Sequence, residues 1–104
     1  MPDIIVVGAG PGGTAAATRA AQLGAQVTLV EQAELGGNCV NRNCIPLVSM
    51  LSSIELFDRI RRAEEMGISV SAPRLDSAKV AARARQISQD MRELRPLLNL
   101  TWVH

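Results

Sequence analysis

Asp3-Ile4-Ile5-Val6-Val7-Gly8-Ala9-Gly10-Pro11-Gly12-Gly13 is the stretch from which the fold of this chain can be read. Ile4 to Val7 is an unbroken β-branched run, the pattern of a strand buried on both faces. The glycines end it sharply, and residues 12–23 then read as an alanine-rich helix with Gly24 as its C-terminal stop. Gln26-Val27-Thr28-Leu29-Val30 predicts a second strand, closed by Glu31. Together these make a βαβ unit of about thirty residues.

The glycine spacing carries chemistry as well as geometry. Gly8-x-Gly10-x-x-Gly13 follows a strand and opens a helix, the context that a dinucleotide fingerprint requires. Gly8 permits the tight turn, Gly10 admits a pyrophosphate close to the backbone, and Gly13 lets the helix pack closely on the strand. Unpaired N–H groups at the helix start then face the phosphates. Glu31 stands where a carboxylate accepts ribose hydroxyls, and it disfavours a 2′-phosphate. The competing reading is a glycine turn that binds nothing; strand, helix, second strand and terminal acid in register all favour the nucleotide.

Downstream lie the only two cysteines, in Gly36-Gly37-Asn38-Cys39-Val40-Asn41-Arg42-Asn43-Cys44-Ile45-Pro46. Cysteines five positions apart in a regular helix have Cα atoms roughly 8–9 Å apart, whereas a disulfide needs less than about 7 Å. A bond between them therefore requires an irregular turn, expected to end at Pro46. Cys44 falls near the start of the next helix, where thiolates are favoured, and Arg42 either adds to that effect or is simply solvated. Two plainer readings compete. Buried apolar cysteines fit poorly among Asn38, Asn41, Arg42 and Asn43. A zinc site would need more ligands than the chain offers, His104 being the only histidine, so no metal is expected.

Leu47 to Glu65 predicts a long helix with Leu47, Met50, Leu51, Ile54, Phe57 and Ile60 as its apolar stripe. Gly67 would stop it, and Ile68 to Ala72 reads as a short extended piece before Pro73. Asp76 or Ser77 would cap a further helix with Val80, Ala84, Ile87, Met91 and Leu94 on one face, packed antiparallel to its predecessor. Pro96 ends that helix, and Leu100 to Val103 opens a third strand. The fold class is α/β: half of a doubly wound, Rossmann-like parallel sheet in the order β-α-β-α-α-β, with a long helix pair. Within a partial domain of residues 1–104, residues 1–35 form the βαβ unit. Residues 36–66 form the cysteine segment and its helix, and residues 67–104 form the second long helix and third strand.

With 104 residues, the chain is one small domain or part of a larger one. A net charge of +1 gives no footprint for nucleic acid. The apolar opening is too short to span a membrane and has no basic segment before it, so a cytoplasmic setting is expected, where close cysteines are more often catalytic than structural. With aromatics at 2%, the core must be built from small aliphatic side chains.

The glycine loop, Glu31 and the Gly-Gly-x-Cys-x4-Cys-Ile-Pro segment together resemble the class I pyridine nucleotide-disulfide oxidoreductase family, whose members include dihydrolipoyl dehydrogenase, glutathione reductase and mercuric reductase. The resemblance covers essentially the whole chain and is to the N-terminal FAD-binding portion, closest in character to dihydrolipoyl dehydrogenase. It implies that Gly8, Gly10, Pro11, Gly12, Gly13 and Glu31 hold the ADP half of FAD, with Gly37 and Asn38 adding contacts. It also implies a Cys39–Cys44 redox disulfide, with Cys39 meeting a disulfide or dithiol substrate and Cys44 next to the flavin. Electrons would pass between NAD(P)H, FAD and that pair. Further implied partners are the remaining domains or a second chain completing the FAD site, and a homodimer in the full enzyme. The chain departs from the family pattern at Arg42-Asn43, where Val-Gly is usual, and at Leu47-Val48, where Ser-Lys is usual. Those departures keep open a non-catalytic FAD- or nucleotide-binding or interaction module derived from the family; a mercuric reductase-like protein is a further alternative, since that group shares the same disulfide.

Overall fold

The computed structural model describes residues 3–93 and 100–103. Its elements run β1 (Ile4–Val7), α1 (Pro11–Gln22), β2 (Val27–Val30), α2 (Gly37–Asn41), α3 (Cys44–Arg61), a 3-10 turn (Ala63–Met66), α4 (Ser77–Glu93) and β3 (Leu100–Val103). The fold is α/β. β2 lies between β1 and β3, and both pairings are parallel, with Ile5 opposite Thr28 and Thr28 opposite Thr101. No helix among the described residues is long and apolar enough to cross a membrane.

The core sits between the sheet and α1. Val27 and Leu29 on β2 are closed off by Ala9 and Ala17, with Val6, Ala20 and Ala21 packed around them. Small side chains on α1 let the helix lie close to the strands, so an aliphatic core forms without aromatics, as the composition required. Gly24 ends the helix as expected, at φ 95°.

The expectation that β1 is buried on both faces does not hold. Ile5 is 62% and Val7 81% exposed. Successive strand side chains alternate in direction, and α1 covers only the face bearing Val6. β1 is also the edge of the sheet. A β-branched run reports strand propensity, not how many layers cover the strand.

The helix pair is antiparallel, since early α3 residues Pro46 and Met50 face late α4 residues Ser88 and Arg92 across one groove. Two details differ from the sequence reading. The second helix begins at Cys44 and stops at Arg61, with the chain tightening to 3-10 geometry before Gly67 at φ 78°. Moreover, α3 does not bury its apolar stripe. Ser49 is its buried residue, while Leu47, Leu51 and Ile54 are all at least 44% exposed. Ser49 and Leu51 lie two residues apart, which puts them on nearly opposite sides of a helix. On α4 the buried positions are Ala84 and Ser88. Small residues on both helices allow close approach, and Arg83 spans the seam by donating to the Ser49 carbonyl at 3.0 Å. Residues 68–72 form no strand. Leu94, Pro96 and His104, which the sequence reading had assigned, lie outside the described residues.

Candidate functional site

The site begins with contacts between backbones. Gly8, at φ 98°, donates its N–H to Val30 O at 2.7 Å, so the turn after β1 is fastened to the end of β2. A Cβ at Gly13 would stand 1.8 Å from Gly8 O, which makes glycine obligatory for so close a helix–strand approach. Gly10 caps α1 without any side-chain hydrogen bond, and Pro11 follows in the first turn, where its missing N–H costs nothing. A Cβ at Gly8 or Gly12 would meet no protein atom within 4 Å. The loop therefore presents bare backbone and helix N–H groups to open space, a cradle suited to a phosphate.

Glu31 reaches this loop directly. One carboxylate oxygen accepts the Ala9 N–H at 2.7 Å, and the other accepts the Ala33 N–H at 3.1 Å. Glu31 thus braces the loop it was expected to serve.

The cysteine segment is docked on the same loop. Gly36, at φ 105°, donates its N–H to Ala9 O at 2.8 Å. Gly37, at φ 66°, leaves room for only 2.9 Å between a Cβ and Gly10 Cα. Side chains rarely adopt such backbone angles, so both glycines are demanded by the turn and by the close approach. Glu31, Gly37, Asn38 and Arg42 line one cleft of about 240 Å³.

The two cysteines stand on different elements. Cys39 is half-buried in the five-residue α2, and Cys44 is exposed as the first residue of α3. Both are thiols in this structure. The irregular turn expected between them is present: the Arg42 and Asn43 N–H groups both bond to Asn38 O, and the chain then restarts as a helix. Pro46 does not end that turn. It lies within the first turn of α3, where the helix needs no donor from it.

Three residues missed in the sequence complete the picture. The Asn41 amide donates to Leu35 O at 3.0 Å and to Gly37 O at 2.9 Å, tying down the carbonyls on either side of Gly36. Arg92 of α4 donates to Asn41 Oδ1 and, at 2.9 Å, to Glu34. Arg92 lies 51 residues from Asn41, and no local pattern signals such a contact.

Comparison with known proteins agrees with this geometry. The family model described as pyridine nucleotide-disulphide oxidoreductase matches residues 2–95. A dihydrolipoyl dehydrogenase of Zymomonas mobilis is 46% identical over 86 residues, covering 83% of this chain and 18% of that protein. One of Geobacillus stearothermophilus is 49% identical over 78 residues, covering 75% and 17%. Dihydrolipoyl dehydrogenase 3 of Haloarcula marismortui is 53% identical over 66 residues, covering 64% and 14%. The chain thus spans less than a fifth of the length of these curated relatives.

Proposed function

The chain belongs to the pyridine nucleotide-disulphide oxidoreductase family, and from that premise we propose that it forms the FAD-binding, dithiol-bearing part of a flavin-dependent disulfide oxidoreductase of the dihydrolipoyl dehydrogenase kind. The observation that carries the proposal is the docking of Gly36 and Gly37 on the Ala9–Gly10 backbone. It brings a dithiol segment against a loop shaped for a phosphate, a juxtaposition that neither motif needs alone.

The residues present fit FAD. Gly8, Gly10, Pro11, Gly12 and Gly13 would receive the pyrophosphate on bare backbone at the start of α1. Glu31, held in a fixed orientation by the Ala9 and Ala33 N–H groups, would accept the adenosine ribose hydroxyls, and Gly37 and Asn38 would border the same cleft. When bound, FAD would supply a two-electron carrier between the dithiol and NAD(P)H.

The chain's own chemistry is thiol–disulfide exchange. The Cys39 thiolate attacks one sulfur of a disulfide substrate, forming a mixed disulfide and releasing the first substrate thiol. Cys44 then attacks the Cys39 sulfur, releasing the second thiol and closing the Cys39–Cys44 bond. Substrate gains two electrons and two protons, and the cysteine pair loses them; oxidation of a dithiol substrate is the reverse. The irregular turn at Arg42-Asn43 is where the chain would bend to let the sulfurs meet. Cys44 is exposed at the start of α3, where a flavin would cover it.

On this reading the three-stranded sheet is half of a doubly wound one, and residues 1–35, 36–66 and 67–104 divide the labour as nucleotide unit, dithiol segment and closing helix–strand unit. The remaining length of the full protein, in one chain or a second, would complete the flavin site and supply the NAD(P) site and a homodimer contact. The test is purification of the full-length protein, with measurement of flavin absorbance and of NADH-coupled lipoamide reduction. Bound flavin and activity lost in both Cys39→Ser and Cys44→Ser are expected. Absence of flavin, or activity indifferent to Cys39→Ser, would sink the proposal.

A further inference from the structure

We propose that Arg92 is a positioning residue for Cys39, acting through Asn41. The proposal deepens the reading of Cys39 and Cys44 as an exchanging pair and takes its catalytic meaning from it. The helix that carries Cys39 has five residues, too few to be stable through its own hydrogen bonds. Its placement must come from outside. At its start, the Gly36 N–H is held by Ala9 O. At its end, Asn41 folds back to donate to both Leu35 O and Gly37 O, closing the segment into a compact loop.

What orients that amide is Arg92. Its Nη1 donates to Asn41 Oδ1, so the Asn41 Nδ2 must face the two carbonyls. The same guanidinium is anchored by Glu34, ahead of the double glycine. Arg92 is only 29% exposed, so its bond to Asn41 is shielded from solvent better than the surface pairs elsewhere. The link runs from α4 through Asn41 to the Gly36–Gly37 backbone, and from there to the nucleotide loop. Cys39 sits inside it, two residues from Asn41. Cys44, beyond the turn and on α3, sits outside it. Arg92 should therefore govern how Cys39 is presented and leave Cys44 largely alone.

Alkylation of the reduced full-length protein reads this directly. Trypsin cleaves after Arg42, so the two cysteines fall in separate peptides and their rates with iodoacetamide can be followed by mass spectrometry. Losing a charge-assisted hydrogen bond shifts a local opening equilibrium by about tenfold or more. Arg92→Met is expected to raise the Cys39 rate by about that factor while Cys44 changes less than about twofold. Arg92→Lys, which keeps one charged donor for Asn41, should recover at least half of the change. Arg83→Met is the control, because Arg83 also crosses from α4 but, among the described residues, bonds to α3. It should leave the Cys39 to Cys44 ratio at the wild-type value.

A wild-type ratio in Arg92→Met would overturn the proposal, as would an equal shift in Arg83→Met. If Glu34→Gln reproduced the whole effect, the ion pair and not Asn41 would be responsible, and the proposal would again be wrong. The readout needs neither flavin nor turnover, so it stands or falls separately from the activity. Should the protein prove active, Arg92→Met is expected to lower kcat for the disulfide half-reaction with nucleotide affinity unchanged.

Discussion

A single methyl group at Gly13 would collide with a backbone oxygen, whereas Leu47, Leu51 and Ile54 on α3 are each left about half exposed. The sheet end is held by backbone: Gly8 to Val30, Gly36 to Ala9, Gly37 against Gly10. The helix pair is held by small side chains at one seam and by Arg83, which crosses it, while Arg92 ties the end of α4 to Asn41 of α2. The difference teaches where precision resides. Backbone contacts leave no rotamer to adjust, so the end that would receive the cofactor and present Cys39 has little room to shift. The helix pair is expected to tolerate change on its exposed faces and to be exacting at the small-residue seam and where α4 returns to Asn41.

The largest expected effect follows from the tightest contact. Gly13→Ala places a Cβ 1.8 Å from Gly8 O, and backbone at both ends of that contact cannot yield. We expect destabilisation of at least about 3 kcal/mol, read as a shift in the urea midpoint, with loss of ADP binding. A normal midpoint would show that α1 can lift from the strand and would break the contrast between the two ends. Gly37→Ala comes next, since it combines φ 66° with a Cβ 2.9 Å from Gly10 Cα. A cost of roughly 1–3 kcal/mol is expected, with nucleotide affinity falling because Gly10 must move. If stability fell and affinity did not, the two segments would be neighbours without being coupled.

How much of this was legible in the sequence follows the same division. Gly8, Gly10, Gly13 and Glu31 announced the βαβ unit because glycine requirements arise from local geometry and leave a local spacing. The cysteine segment was legible as a motif, but α2 was not, since a five-residue helix that opens within a double glycine and closes at Arg42-Asn43 carries no helical period. Cys44 as the first residue of α3 was expected to within a turn; Pro46 inside that turn was not, because proline marks a helix start as readily as a stop. The buried face of α3 was misjudged for a physical reason. Periodicity pointed to Leu47, Leu51 and Ile54, yet the close approach of Ala84 and Ser88 favours Ser49. Arg92 and Asn41 were invisible, being joined only by the fold.

At the far end of the helix pair, effects should be modest. Asp76 accepts the Lys79 N–H at 3.1 Å, the geometry of an N-cap at the start of α4. Asp76→Ala should cost about 1 kcal/mol in urea unfolding, as caps generally do. Because the cap lies at the opposite end of α4 from Arg92, the Cys39 to Cys44 alkylation ratio should stay at its wild-type value. A changed ratio would mean that the helix pair transmits strain along its length, and the division between the two ends would have to be redrawn.

The smallest effect is expected at Arg62, which pairs with Asp58 at 3.8 Å and Glu65 at 3.3 Å. All three side chains are more than half exposed, so solvent screens the attraction and holding the long side chains still offsets most of what remains. Arg62→Ala should change stability by less than about 0.5 kcal/mol, and raising the salt concentration should erase even that. Arg92 is the instructive counterpart, an arginine at the other end of the pair that shares its charge between a carboxylate and a shielded amide. If both arginines proved equally dispensable in urea unfolding and in Cys39 alkylation, burial of the guanidinium would not be what separates a bond that positions a thiol from one that decorates a helix.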